Sequence, residues 1–342
     1  MKKEQPIINY TKITEQVDFF NDKIGLIIPA YNAHSTIKKL FHSIAMFNFL
    51  SKIEVCLIDD KSDYSYDYLY GLFPEVNLTI IKNIHNYGPG YSRNRGIEWA
   101  IKKDLPFIMF ADADDYFINF DFWSNISKSD KQNNSFFTFR FYDEKGKLFL
   151  TDADVWSFGK VYCTSIIKEQ NIRFSENYSN EDVVFNFIYF HFNYSIYNSN
   201  LVIYQWVNTE NSLSRTENYD YNSYSELINN LTNAFLKHKE SLPKNRISLM
   251  ILNRTIRLFF YFNDLIFSKP SLLDKSNKTL KNQEIWQSLY NYYINCYKPY
   301  ENNFSQTDII KSFNEIYCGN NGSSSQYLWL DYQTFIKKIK EG

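Results

Sequence analysis

Three carboxylates, Asp112, Asp114 and Asp115, follow directly on the apolar run Phe107-Ile-Met-Phe-Ala111. A buried strand that ends in clustered acids presents oxygen ligands at its carboxyl end, and an Asp-x-Asp spacing suits a hard divalent cation shared with phosphate oxygens. A solvated turn would have the same composition, so the wider pattern decides. Two earlier apolar runs end in the same way. Ile24-Gly-Leu-Ile-Ile28 leads into Pro29-Ala-Tyr-Asn32, and Ile53-Glu-Val-Cys-Leu-Ile58 leads into Asp59 and Asp60. The carboxyl ends of parallel strands share one edge, so these groups can line one crevice although they are far apart in sequence.

Each group in that crevice has a chemistry it can do. Asp59 or Asp60 can accept hydrogen bonds from the N–H or hydroxyl groups of a ligand. The backbone from Pro29 to Tyr31 can form a facing wall, with Tyr31 as an aromatic face. Arg93 stands near the start of a helix that follows the loop His85-Asn-Tyr-Gly-Pro-Gly-Tyr91. There it can hold a phosphate or orient the carboxylates. Gly88, Gly90 and Gly96 permit close backbone approach. Later, Glu181 and Asp182 open an apolar helix that Ser179 or Asn180 can cap, and the helix dipole favours acids there even without a chemical role.

The elements that must position these groups alternate. Strands are expected at 24–28, 53–58, 78–81 and 107–111. Helices are expected from the Ser35/Thr36 cap through Ile44 and from Ser92 to Lys103. Alternation of this kind implies α/β architecture, a mostly parallel sheet with helices on both faces. Beyond Tyr116 the pattern shifts, with an aromatic strand at Phe136 to Tyr142 and another at Leu201 to Val207. From about residue 217 helical periodicity dominates (Leu227, Leu231, Phe235; Ile247, Ile251, Ile256, Phe260), which implies a packed helical region.

Composition narrows the function classes. Apolar residues make up 44% of the 342-residue chain and charged ones 22%, the proportions of a globular protein. A net charge of −1 argues against a nucleic-acid partner, which would call for a basic excess. Cys56, Cys163, Cys296 and Cys318 are scattered, signalling neither a disulfide framework nor a zinc site. The first ten residues lack the apolar core of a secretory signal, and Ile247 to Phe262 is interrupted by Asn253, Arg254 and Arg257 and is too short to span a bilayer. A cytoplasmic protein is expected, with room for peripheral contact at the inner face of the membrane and for self-association through the C-terminal helices.

Taken together, Pro29-Ala-Tyr-Asn32, Ile58-Asp-Asp-Lys-Ser62, Asn86-Tyr-Gly88, Ser92-Arg-Asn-Arg-Gly96 and Ala111-Asp-Ala-Asp-Asp115 resemble, in order and spacing, a family 2 glycosyltransferase of the GT-A fold. The resemblance runs over residues 24–215. It implies a GT-A domain at 23–216, which leaves a lead-in at 1–22 and, from the helical periodicity, a helical C-terminal domain at 217–342. Within the GT-A domain it implies a nucleotide-sugar half at 23–115 and an acceptor half at 116–216. The implied activity is inverting hexosyl transfer from a nucleotide-diphosphate sugar, UDP-linked, to a hydroxyl on a glycan, polymer or glycoprotein.

The same resemblance implies residue roles. Asp114 would ligate manganese or magnesium, and Asp112 would reach the ribose or the metal through water. Pro29, Tyr31, Asn32, Asp59, Asp60, Gly88 and Arg93 would bind the nucleotide sugar. Ser212, Ser214 and Arg215 would do so from a loop closing over the diphosphate. Trp156 and Lys160 would lie on the acceptor side. Asp182 would be the general base, with Glu181 as second choice. A non-catalytic nucleotide-sugar binder of the same fold is the alternative. A sugar nucleotidyltransferase fits less well, since Pro29-Ala-Tyr-Asn-Ala-His34 is not a glycine-rich triphosphate loop.

Overall fold

The computed structural model describes residues 20–150, 155–176, 180–192, 195–207, 221–268, 273–274, 279–280, 283–319 and 331–341. The expected phosphate partners Ser212, Ser214 and Arg215, the candidate cap Ser179 and the lead-in up to residue 19 lie outside the described residues.

In chain order the first half runs β1 (Ile24–Ala30), α1 (Ile37–Ala45), β2 (Ile53–Asp59), α2 (Leu69–Leu72), β3 (Leu78–Lys82), α3 (Pro89–Lys102) and β4 (Phe107–Phe110). The second half runs β5 (Tyr116–Phe117), α4 (Lys128–Asn133), β6 (Phe136–Tyr142), β7 (Leu148–Leu150), β8 (Lys160–Cys163), α5 (Thr164–Glu169), α6 (Glu181–Phe192) and β9 (Ile196–Gln205). All these strands join one sheet in the order β3-β2-β1-β4-β8-β6-β9-β5, with β7 on β6. The first four strands pair in parallel, Ile24 opposite both Ile53 and Phe107. From β4 onward the sheet is mixed. β8 runs antiparallel to both β4 and β6, and β9 is parallel to β6. The expectation of a mostly parallel sheet therefore holds for the first half, where helices cross between strands, and not for the second.

The strands read as continuous apolar runs because both faces are covered. Period-two alternation sends Ile27, Cys56, Ile58, Ile108 and Phe110 into one core, and Leu26, Ile28, Val55, Leu57 and Met109 into another under α1. The second core also holds Trp123, whose indole nitrogen donates to the Asp22 carbonyl at 2.8 Å. Asp22 in turn receives both Lys52 (2.9 Å) and Lys131 (2.8 Å), tying the start of the sheet to α4.

Two helix starts differ in detail from the sequence pattern. Thr36 precedes α1, but its hydroxyl donates back to the Ala33 carbonyl and does not cap the helix. Helix α3 begins at Pro89 and not at Ser92. Proline is tolerated in a first turn because its missing N–H would have had no helical partner, and Gly88 precedes it at φ 87°. At Gly96 this helix lies so close to β1 that a Cβ would stand 2.2 Å from Cγ2 of Ile27, a side chain fixed in the core. Gly96→Ala should destabilise the protein by about 1–3 kcal/mol through overpacking, read as a lower denaturant midpoint at unchanged slope.

The C-terminal part comprises α7 (Tyr221–His238), α8 (Lys244–Ser268), the short pair β10 (Leu273–Asp274) and β11 (Thr279–Leu280), α9 (Gln283–Tyr292), α10 (Gln306–Gly319) and α11 (Tyr332–Glu341). Its apolar faces do not close on themselves alone. Leu227, Ile228, Ile251 and Phe259 belong to the same continuous core as Phe185 and Ile188 of α6 and Phe110 of the sheet. The Arg254 guanidinium lies 4.6 Å from the centre of the Phe187 ring. The helical region is thus built onto α6, the helix that opens with Glu181 and Asp182. Among the described residues no helix is long and apolar enough to cross a membrane.

Candidate active site

The carboxyl edge of the parallel half is drawn together by its own polar groups. The β1 and β2 ladders continue past the strands, with the Asp60 amide on the Ala30 carbonyl and the Asn83 amide on the Asp59 carbonyl, both at 2.8 Å. Asp60 is buried, and its carboxylate accepts three donors: Asn83 Nδ2 (2.6 Å), the Tyr87 amide (3.1 Å) and the Gly88 amide (2.7 Å). Asn83 Nδ2 also reaches Ser92 Oγ at 3.1 Å, and Arg95 donates to Asn83 Oδ1. Asp60 therefore pins the loop that leads into α3. Three of the about four bonds a carboxylate can accept are thus made within the fold.

Asp59 accepts the Ser62 amide at 2.9 Å and is equally buried. Asn32 takes a left-handed backbone, φ 49°, and exchanges two hydrogen bonds with Asp63. Its amide also donates to Ser62 Oγ at 2.9 Å. Pro29 is partly buried at the end of β1, and Tyr31 beside it is exposed. His34 stacks on Tyr66 with ring centres 4.3 Å apart, and the Tyr66 hydroxyl accepts the Ala33 amide at 2.8 Å.

Arg93 joins the two acidic stations that the sequence holds far apart. Its Nη2 donates to Asp112 Oδ1 at 2.7 Å, and its Nη1 donates to Glu181 Oε1 at 2.5 Å. The guanidinium is buried, and its Nε has no hydrogen-bond partner among the described residues. Arg93 thus bonds one carboxylate of each station.

After β4 the chain turns on the Asp115 amide, which donates to the Asp112 carbonyl at 3.2 Å. Asp112 and Asp114 remain partly exposed while Asp115 is fully buried. The Tyr204 hydroxyl accepts the Asp112 amide at 2.9 Å, and Asp115 Oδ1 accepts the Val207 amide at 2.7 Å, so the end of β9 is tied to this turn. Burial, then the charges of Asp112 and Asp114, hold the Asp115 carboxyl well above the usual carboxylate range. Among the described residues no three His, Cys, Asp or Glu side chains form a ready-made metal cluster. The donor set nevertheless suits a cation that takes most of its ligands from phosphate and water: two partly exposed carboxylates beside a third that burial disfavours as an anion.

Glu181 and Asp182 stand at the start of α6. Burial raises the Asp182 carboxyl above its ordinary value, opposed by the charges of Arg93 and Lys160 and reinforced by that of Asp112. Its Oδ1 accepts the Val183 amide at 2.8 Å. Glu181 is pushed up to about 7 by burial, with Arg93 pulling down and Asp182 pushing up. A carboxyl raised in the folded state binds protons that the unfolded chain has released. The stability that Glu181 contributes is thus complete below about pH 4.5 and lost as the pH rises towards 7. Urea denaturation at pH 5 and pH 8 should show a smaller pH-dependent loss for Glu181→Gln than for the unmodified protein.

Trp156 and Lys160, expected on the acceptor side, are tied into the fold. Lys160 is buried and its Nζ donates to the carbonyls of Val155 and Trp156. The Trp156 carbonyl also accepts Asn186 Nδ2 of α6 at 3.0 Å, and its ring packs edge-on against Phe141. Two residues that the sequence patterns do not single out, Asn83 and Tyr204, position Asp60 and Asp112. Each acts through backbone or side-chain groups distant in sequence, which leaves no local signal.

Residues 26–195 match the model of Glycosyl transferase family 2. A 97-residue stretch is 31% identical to the poly(ribitol-phosphate) beta-N-acetylglucosaminyltransferase TarS of Staphylococcus aureus strain Mu50, and equally to that of strain MW2. It covers 28% of this chain and only 16% of that protein. The fold is similar to that of S. aureus TarS 1–349 crystallised with UDP-GlcNAc, with a TM-score of 0.64 at 18% identity over 90% of this chain and 94% of the other. The UDP complex of the same fragment gives a TM-score of 0.61 at 18% identity, with the same 90% and 94% coverage. With the ordered strand-end motifs, the mixed sheet and the family match on one segment, the chain belongs to glycosyltransferase family 2 and has the GT-A fold.

Proposed function

We propose that this protein transfers a sugar from a UDP-linked donor, UDP-GlcNAc being the first candidate, to a hydroxyl of a carbohydrate or glycoconjugate polymer, with inversion at the anomeric carbon. The observation that carries this reading is the single buried guanidinium of Arg93 shared between Asp112 at the end of β4 and Glu181 at the start of α6. It links the candidate leaving-group station to the acidic pair that contains the candidate base. The complexes of the TarS fragment with UDP-GlcNAc and UDP support the choice of donor.

Direct displacement needs a base on the face of the sugar opposite the departing nucleotide. In this assignment Asp182 takes the proton of the acceptor hydroxyl while that oxygen bonds to the anomeric carbon. The bond from the anomeric carbon to the diphosphate oxygen breaks, and its electron pair leaves with UDP. Asp114, aided by Asp112, would hold a manganese or magnesium ion, which when bound neutralises charge on the leaving diphosphate. Asp59, the remaining acceptor position of Asp60, and Tyr31 would face the base and ribose. Asp182 works only when ionised and its carboxyl is raised by burial, so activity should climb with pH along an acid limb that lies above the ordinary carboxylate range.

The test is to incubate the chain with manganese and a panel of nucleotide sugars, scoring nucleotide release and thermal stabilisation. Selective stabilisation by one donor with release of its nucleotide, both lost in excess chelator, is expected. Full turnover in chelator would remove the metal from the account. Stabilisation without release, in the presence of candidate acceptors, would favour the non-catalytic binder.

A further inference from the structure

We propose that Asn94 is a positioning residue for the transfer step: by clamping the backbone of Phe174, it fixes where the Glu181–Asp182 end of α6 stands relative to the carboxylate turn after β4. The proposal rests on Asp182 being the base. Asn94 follows Arg93 on α3, and its amide is used at both ends. Nδ2 donates to the Phe174 carbonyl at 3.0 Å, and Oδ1 accepts the Phe174 amide at 2.9 Å. A side-chain amide paired in this way imitates a strand partner and fixes both the position and the rotation of the peptide it holds.

From Phe174 the constraint passes to α6. The Phe174 ring is stacked on Phe185, with centres 4.0 Å apart and planes 2° from parallel. Phe185 lies one helical turn after Glu181, on the same side of the helix. Phe174 also meets Phe110 of β4 edge-on at 5.1 Å, and the Arg93 guanidinium sits 5.5 Å from its ring centre. The assembly has little slack. A Cβ at Gly90 would stand 2.0 Å from the Ser175 carbonyl oxygen and 3.3 Å from the Glu181 Cβ, so the segment and α6 both press on the first turn of α3. Adjacent residues of one helix thus act on the acidic pair in two ways. Arg93 holds it by charge, and Asn94 holds it by geometry through Phe174 and Phe185.

The experiment compares Asn94→Ala and Phe174→Leu with Glu98→Ala. The last removes only the outer ion pair of Glu98 with Arg173 on the same segment. UDP affinity, kcat, donor KM and the pH profile of kcat are measured below the unfolding range of each variant. Asn94→Ala and Phe174→Leu should lose about 10- to 100-fold in kcat, the scale of a small misplacement of a catalytic group, with UDP affinity within about twofold. In Asn94→Ala the acid limb should also move to higher pH as Asp182 drifts from the Arg93 charge, and Glu98→Ala should match the unmodified protein. Unchanged kcat in a folded Asn94→Ala would overturn the proposal, as would loss of kcat and UDP affinity together with an unmoved pH profile. If Asn94→Ala does not fold, Phe174→Leu decides by the same kcat criterion. Asp182→Asn run alongside separates the two levels. Its retention of transfer would refute the base assignment itself, whereas its inactivity beside a normal Asn94→Ala would refute only the positioning role.

Discussion

Asp182→Asn is expected to lower sugar transfer by about 10²- to 10⁴-fold, the contribution of a positioned general base, while UDP and donor affinity stay within about twofold. The substitution keeps shape, and the asparagine oxygen can still accept the Val183 amide that Asp182 Oδ1 accepts at 2.8 Å. Only the capacity to take a proton is lost. The carboxyl is raised by burial and held back by Arg93 and Lys160, and a raised carboxyl is the direction that general-base chemistry calls for. Kinetics at saturating donor, with nucleotide binding measured by titration, separate this outcome from a general loss of fold. Near-normal transfer by a folded Asp182→Asn protein would move the base to another residue, with Glu181 first in line.

The second large effect is expected at Arg93. Arg93→Met keeps the chain volume and removes the charge that Asp112 and Glu181 share at 2.7 and 2.5 Å. Breaking a buried pair by deleting one partner costs roughly 3–5 kcal/mol, because the remaining charge stays buried and uncompensated. The Asp112 side chain is 32% exposed and can turn to water, and Glu181, already pushed up to about 7 beside the guanidinium, can take up a proton, so a loss near the low end, about 3 kcal/mol, is expected. Transfer should fall by at least about 100-fold, since both the leaving-group station and the acidic end of α6 lose their common anchor. A double-mutant cycle sharpens the test. At pH 8, Glu181→Gln added to Arg93→Met should recover part of the lost stability, because it removes a buried carboxyl that must otherwise take up a proton. Additive losses would mean that Arg93 and Glu181 do not act as a pair.

Much of the fold is legible in the sequence because the parallel half is buried on both faces. The runs at 24–28, 53–58 and 107–110 carry little but apolar residues, and each stops at polar groups that lie on the same edge. Helix α3 is less well marked at its start, where Pro89 and Gly88 look like loop residues and are in fact its first turn and entry. The mixed half is harder to read. The order β4-β8-β6-β9-β5 follows from pairings between segments separated by loops and helices, and alternation within each strand does not reveal its neighbour. Helical periodicity beyond residue 217 is plain, but that those helices complete the core of α6 depends on contacts such as Arg254 on Phe187, which no local pattern encodes.

Within the site, residue types and spacing single out Asp112, Arg93, Glu181 and Asp182, yet not the bond that unites them. Sequence order separates Arg93 from Glu181 by 88 positions, and only the fold brings them into contact. The structure also changes the emphasis on several residues. Asp60 and Asn32, read as ligand contacts, spend most of their hydrogen-bonding capacity on the loops around them. Lys160 is turned into the backbone of its own turn. Asn83 and Tyr204, which lie outside the sequence motifs, hydrogen-bond to Asp60 and to the Asp112 amide and so tie those motifs to the rest of the fold.

The most direct test of the central claim is an anomalous difference map from crystals soaked with manganese and UDP-GlcNAc. The account predicts a manganese peak on the Asp114 carboxylate and the diphosphate, with the nucleotide lying along the carboxyl ends of β1, β2 and β4 and the sugar between Asp112 and Asp182. Nucleotide bound instead in the groove of about 480 Å³ on the outer face of α3, between Tyr91, Arg95 and Arg173, would contradict it. So would a nucleotide in the cleft with its manganese away from Asp112 and Asp114.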